Sequence, residues 1–145
     1  MDLTTFLISW ICAILAMTGF SAVLSYLCKC ELREHVLLTQ LVYTIKSPIS
    51  KVRPKVWTGW VIHFAFGLLF MGFYELAWTY SELERTLWWS IVLGVGMGIV
   101  GILGWMTFFR LHPYPPELHF KIYYVQLLFA HIVFSVTAFL GYSLL

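Results

Sequence analysis

The chain has 145 residues, of which 61% are hydrophobic, 19% are aromatic and only 11% are charged. A soluble domain has about 25% charged residues, so this composition excludes a soluble enzyme, a disordered protein and a secreted disulfide-rich domain. It indicates an all-α polytopic membrane protein, and a net charge of +2 is too small to suggest a nucleic-acid partner.

Four long apolar segments follow one another along the chain, and each is long enough to cross the hydrocarbon core of a bilayer as a helix. We predict transmembrane helices at residues 3–27, 56–78, 86–109 and 120–145. The apolar runs are continuous and do not alternate, which argues against transmembrane strands. No base precedes the first run, so we expect a retained helix and not a cleaved signal peptide. The sequence therefore predicts one domain, a bundle of four transmembrane helices.

The connection after the first segment contains a pattern of its own. In residues 35–45 the apolar side chains repeat at helical spacing, at Leu37, Leu38, Leu41, Val42 and Ile45. The stretch is too short to cross a bilayer, so we predict a short interfacial helix that lies at the membrane surface.

The basic residues are distributed unevenly among the connections. The first and third connections carry eight of the nine Lys and Arg residues of the chain. The positive-inside rule places these two connections in the cytoplasm, and both chain termini are then predicted on the opposite side of the membrane.

The third segment is rich in glycine. Gly94, Gly98 and Gly101 fall on one helical face, where the absence of side chains lets a second helix approach closely. We predict that this face packs inside the same bundle, in preference to forming a contact between two copies of the chain.

The second and fourth segments share a repeated motif, His-x-x-Phe followed by a small residue, with Tyr eleven positions after the His. The matching stripes are His63, Phe66, Gly67 and Tyr74 in one segment and His131, Phe134, Ser135 and Tyr142 in the other. These offsets return to one helical face, so we expect the two stripes to face each other in the bundle core with the histidines at similar depth. The repeat suggests a duplicated two-helix hairpin.

A histidine inside a membrane helix needs a partner, and three interpretations are open. In the first, each histidine is hydrogen-bonded to a neighbouring helix and has a structural role. In the second, His63 and His131 are the axial ligands of a b-type haem, with room for the porphyrin edge at Gly67. In the third, both histidines line a pathway for a proton, a quinone or a small ligand, together with Tyr74 and Glu75.

No catalytic motif is present in the sequence, and the carboxylates are few. Cys12, Cys28 and Cys30 lack the further ligands of a metal site, so we predict no metal and, outside the haem interpretation, no cofactor. We expect a non-enzymatic integral membrane protein in contact with membrane lipids. It would be free-standing or an accessory subunit bound to other membrane proteins.

Several short motifs occur along the chain: Ala16-Met17-Thr18, His63-Phe64-Ala65-Phe66-Gly67, Pro115-Pro116 and the second His-x-x-Phe. Together with residues 33–41 and 109–113, they resemble the YagU-like small bacterial inner-membrane proteins, an uncharacterised four-helix family. The resemblance spans most of the chain and implies four helices in the bacterial inner membrane, with both termini in the periplasm on the orientation above. It implies no established reaction. Ser135 departs from the pattern, which has glycine after the second His-x-x-Phe.

Overall fold

The computed structural model describes residues 2–47, 55–81 and 84–144, and every regular element within these ranges is an α-helix. There are five: α1 (Leu3–Cys28), α2 (Glu34–Thr44), α3 (Val56–Tyr80), α4 (Leu87–Leu111) and α5 (Phe120–Leu144). Four of them, α1, α3, α4 and α5, are long and apolar enough to cross a membrane. The predicted all-α class is confirmed, and the chain is a multi-pass membrane protein.

Local chemistry explains where the first and fourth helices begin and end. The Asp2 carboxylate accepts a hydrogen bond from the Thr4 amide, and α1 stops at Lys29, which has a left-handed backbone with φ of 51°. The Thr86 hydroxyl accepts from the Trp89 amide and caps α4. The predicted segments end up to two residues before the observed helices. The predicted end at residue 145, the bases Lys51 and Arg53 and the acid Glu82 lie outside the described residues.

The four long helices pack side by side in the order α4, α5, α1, α3, and this row is curved. The α5 helix packs against α4 on one side and α1 on the other, α1 contacts α3, and α3 carries α2. The two ends of the row, α3 and α4, then face each other across a cavity.

The glycine face of α4 makes a close contact with α5. A Cβ on Gly94 would lie 2.9 Å from the Ile132 Cα, and one on Gly98 would lie 3.1 Å from the Leu128 Cα. Both neighbours belong to α5, so the prediction that this face packs inside the bundle is confirmed.

The short helix α2 has one face inside the protein. Its buried side includes Leu37, Leu38 and Leu41, whereas Val42 and Ile45 are exposed. Gly59 of α3 allows this contact, because a Cβ there would collide with the His35 carbonyl oxygen. The Gly59 amide also donates to the Thr39 hydroxyl over 3.0 Å. The predicted surface helix is therefore also a packing element of the bundle.

Candidate functional site

A cavity of about 230 Å³ lies between α3 and α4. Most of its wall is apolar, with Phe66, Leu69, Phe70 and Phe73 from α3 and Val100, Gly101, Gly104, Trp105 and Phe108 from α4. Three titratable side chains also line it, and they are Glu34, His63 and His131. The two histidines of the sequence repeat therefore reach the same cavity, and a carboxyl group joins them.

The His63 side chain is buried and has a hydrogen-bond partner on another helix. Its Nε2 lies 3.1 Å from the Thr18 hydroxyl of α1. Its ring centroid lies 6.4 Å from those of His35 and Trp60. This arrangement supplies the hydrogen-bond partner that a buried imidazole requires.

His131 is held by its own helix. Its Nδ1 lies 2.8 Å from the Leu127 carbonyl oxygen. A carbonyl oxygen only accepts, so Nδ1 carries the hydrogen and, in the neutral imidazole, Nε2 carries the lone pair. The Nε2 edge lies against Gly101, since a Cβ there would be 2.9 Å from this nitrogen. Because Gly101 also lines the cavity, this side of the site presents a hydrogen-bond acceptor.

The two histidines lie at different depths. The His131 ring packs edge-on against Phe70, with centroids 5.1 Å apart. Phe70 is two helical turns beyond His63 on α3, which is roughly 10 Å along the axis. The expectation of similar depth is therefore wrong.

The remaining members of the two stripes divide into a buried and a peripheral set. Tyr74 and Phe134 stack in the interior with centroids 5.9 Å apart, and the Ser135 hydroxyl donates to the Ser90 carbonyl oxygen. Phe66 is 36% exposed, and Tyr142 is half-buried near the end of α5. The two histidine stripes of α3 and α5 therefore meet in the core along the central part of each stripe.

The residues around His63 do not favour haem ligation. Coordination through Nε2 would break the contact with Thr18. The absence of a side chain at Gly67 makes room for α1, because a Cβ there would lie 2.5 Å from Ile14 Cδ1. The geometry favours hydrogen-bonded histidines beside a cavity.

Glu34 is a residue of this site that was not predicted from the sequence. No carboxylate of the first connection was expected in the interior, but Glu34 is only 2% exposed. Its Oε1 accepts from the Ser21 hydroxyl at 2.9 Å and from Gln126 Nε2 at 3.1 Å. A signal was present in the sequence, because Glu34 precedes Leu37, Leu38 and Leu41 by three, four and seven residues and so lies on the apolar stripe of α2.

Burial sets the electrostatics of this carboxyl group. It raises the pKa of Glu34 to about 7, against the opposing effect of hydrogen bonds from its own backbone, Gln126 and Ser21. The neighbouring base Arg33 is bound to Glu31 through contacts of 2.8 and 2.6 Å. Burial and the Arg33 charge lower the pKa of His35. The floor of the cavity therefore contains a carboxyl group that changes charge near neutral pH.

Glu75 lies at the opposite end of the bundle and takes no part in the cavity. Its carboxylate is 3.2 Å from Arg85, and the Arg85 guanidinium stands 5.3 Å from the Trp78 ring and 4.9 Å from the Tyr142 ring. Neither Glu75 nor Tyr74 is among the described residues that line the cavity. The predicted pathway of His63, His131, Tyr74 and Glu75 is therefore not brought together as one site.

Within residues 2–47, 55–81 and 84–144, no group of three or more His, Cys, Asp or Glu side chains could hold a metal ion. No protein-family model matches the chain, and no curated protein or solved structure is significantly similar to it. The function must therefore be inferred from the geometry of the site.

Proposed function

We propose that the protein binds a small lipid-soluble molecule in the cavity between α3 and α4. The observation that carries the proposal is the combination of apolar walls with three titratable side chains in one cavity. Ligand sites for small molecules typically have this composition, an apolar pocket with a few convergent polar groups.

The ligand would enter from the lipid. Leu69, Phe73 and Val100 line the cavity and are also 61%, 59% and 54% exposed. An opening lined by exposed apolar side chains between two transmembrane helices is accessible to a molecule dissolved in the bilayer and unfavourable for a charged one.

The orientation of His131 defines the head group of the ligand. Since Nε2 of the neutral ring accepts hydrogen bonds, the head group would donate one, as a phenol, an alcohol or an amine does. The polar groups in the cavity are held in place by their own hydrogen bonds, and a fixed arrangement of this kind is suited to binding a ligand. We therefore infer a non-enzymatic role, free-standing or as an accessory subunit.

We further propose a bacterial inner-membrane location with both termini in the periplasm. The exposed bases Lys29, Lys55, Arg110 and Lys121 all lie at the α2 end of the bundle, and by the positive-inside rule this supports a cytoplasmic position for that end. A C-terminal alkaline phosphatase fusion should then be active. Activity of a cytoplasmic reporter at the same position would contradict this orientation.

The ligand proposal is tested by a pair of probes that differ in one hydrogen-bond donor. We expect 4-hexylphenol to raise the thermal unfolding midpoint of the protein in nanodiscs. 4-Hexylanisole, which cannot donate, should bind about fivefold more weakly, because a hydrogen bond contributes about 1 kcal/mol. His131→Phe should remove the difference between the probes while the anisole effect remains. Equal stabilisation of the unaltered protein by both probes would overturn the proposed head-group chemistry.

A further inference from the structure

A second polar feature lies beneath the cavity, where α1, α2 and α5 meet. We call it the Glu34 cluster, and it consists of Glu34, Ser21, Tyr123 and Gln126. All four side chains are buried, with at most 3% exposure. Gln126 Nε2 bridges the Ser21 hydroxyl at 2.6 Å and Glu34 Oε1 at 3.1 Å, and Tyr123 lies one turn before Gln126 within electrostatic range of Glu34.

Three oxygen atoms of this cluster have no hydrogen-bond partner among the described residues. They are Glu34 Oε2, Gln126 Oε1 and the Tyr123 hydroxyl. Buried polar atoms in folded proteins are nearly always paired, and an unpaired one calls for an explanation such as a bound water or ion. Three of them in one cluster point to a bound species that the side chains of the protein do not supply.

The chemistry of these atoms indicates a hard cation. A carboxylate oxygen, an amide carbonyl oxygen and a phenol oxygen are the kind of ligand that hard metal ions prefer. The cluster contains one carboxylate, so a single positive charge would neutralise it. A divalent ion would leave a net charge buried in apolar surroundings, which is unfavourable.

The charged and titratable groups around Glu34 leave its carboxylate available. On its own segment, Arg33 is bound to Glu31, and the His35 ring stacks on Trp60 of α3 with centroids 4.1 Å apart. His63 of α3 is bound to Thr18. The α1 and α5 helices contribute Ser21, Tyr123 and Gln126. On the cavity side α5 also contributes His131, whose Nδ1 is bound to the Leu127 carbonyl oxygen, and α4 contributes no titratable group to the cavity lining.

The position of Glu34 in its helix supports the ionised form. It is the first residue of α2, and the positive end of a helix dipole stabilises an anion. Among the described residues, Glu34 forms no salt bridge, and it has buried oxygen neighbours without a hydrogen-bond partner.

We propose that the Glu34 cluster binds one small monovalent cation such as Na⁺ through Glu34 Oε2, Gln126 Oε1 and the Tyr123 hydroxyl, and that a proton on Glu34 displaces it. The protein would then couple the binding of a cation to that of a proton. Glu34 also lines the cavity above, but the proposal does not depend on a ligand there, since Ser21, Tyr123 and Gln126 are not part of the cavity lining.

The first test compares salts at equal ionic strength and about pH 8.5, where Glu34 is ionised. We expect NaCl to raise the thermal unfolding midpoint in nanodiscs relative to choline chloride. The effect should persist in Glu75→Gln, whose carboxylate is paired with Arg85, and disappear in Glu34→Gln. Tyr123→Phe, which removes a single oxygen, should raise the half-saturating Na⁺ concentration about tenfold. Equal midpoints in the two salts, or an unchanged Na⁺ effect in Glu34→Gln, would overturn the proposal.

The second test uses dicyclohexylcarbodiimide, an apolar reagent that adds to a protonated carboxyl group and remains attached as an N-acylurea. Mass spectrometry of the peptides should locate the label on Glu34, with a rate that decreases as pH rises through about 7. NaCl should slow the labelling, and choline chloride should not. Labelling that follows pH but is the same in both salts would identify a site for protons alone. A negative result with the alkylphenol probes would not change the expected results of these two tests. The ligand proposal and the cation proposal can therefore be disproved independently.

Discussion

At Glu34, a carboxyl group is buried at the junction of three helices, and the nearest base in sequence is bound to another acid. A buried charge without a partner is costly, so the protein must keep this group protonated or supply a counterion. The stability of the protein should therefore depend on the charge of this one residue.

The pH dependence of stability is expected to differ between the native protein and Glu34→Gln. The pKa of Glu34 is raised by burial from 4.5 to about 7, so the folded state holds the proton more tightly than the unfolded chain. In choline chloride, the free energy of unfolding should fall as pH rises from about 4.5 to about 7, by about 3 kcal/mol. The contribution of Glu34 is fully present below this window.

The variant Glu34→Gln should lack this decrease. His35 acts in the opposite direction, because its lowered pKa costs stability as pH falls below 6.5, but it is present in both proteins and cancels in the comparison. Denaturation curves measured across the pH range provide the test. Parallel pH profiles for the two proteins would contradict the burial of an unpaired carboxyl group.

The absorption spectrum distinguishes the interpretations of the two histidines. Since Nε2 of His63 faces Thr18, we expect the detergent-purified protein to have no Soret band. A Soret band that is lost in both His63→Ala and His131→Ala would show that the histidines bind haem after all.

Single residues were only partly predictable. His63 and His131 stand out because an imidazole is rare in an apolar run. Their partners do not, since small hydroxyl residues such as Thr18 occur throughout such helices. Glu34 was overlooked because a charged residue between basic neighbours also fits an exposed loop, and only its position on the apolar stripe of α2 indicates burial.

At the scale of the elements, the α4 helix has glycines with different surroundings. Gly94 contacts the α5 backbone, whereas a Cβ on Gly96 would have no heavy atom within 4 Å. We expect Gly94→Ala to lower the free energy of unfolding by about 1–3 kcal/mol, because the new methyl group must displace backbone.

The matched variant Gly96→Ala should be neutral or more stable by up to about 1 kcal/mol, because alanine has the higher helix propensity. Thermal or denaturant unfolding of the two variants provides the comparison. Destabilisation of both to the same degree would show that helix propensity or insertion, and not the contact with α5, determines the effect.

The elements themselves were largely predictable from the sequence. Continuous apolar runs define the four long helices, and a helical apolar period defines α2. The burial of α2 was not predictable, because a short amphipathic helix has the same pattern whether its apolar face meets lipid or protein. Gly59 leaves room for the α2 backbone, but this meaning is clear only once α2 is known to lie next to it.

At the scale of the whole molecule, the arrangement of the helices creates the cavity. The α3 and α4 helices stand at the two ends of the row, and only side chains and the cavity lie between them. The sequence could not show this order, since four apolar helices can be neighbours in several ways. The repeated motifs did indicate that α3 and α5 face each other, but not that their histidines are offset by about two turns.

Ligand binding in the cavity between α3 and α4 can be tested directly at Gly104. Gly104 lines the cavity, and a Cβ on it would meet no heavy atom within 4 Å. A phenylalanine side chain at position 104 begins in open space at the cavity wall, and we expect its ring to occupy the cavity. Gly96→Phe introduces the same side chain on the same helix outside the cavity. The measurement is the shift in thermal unfolding midpoint caused by 4-hexylphenol in nanodiscs. We predict that the shift persists in Gly96→Phe and is lost in Gly104→Phe, whereas an equal shift in both variants would contradict a ligand site in this cavity.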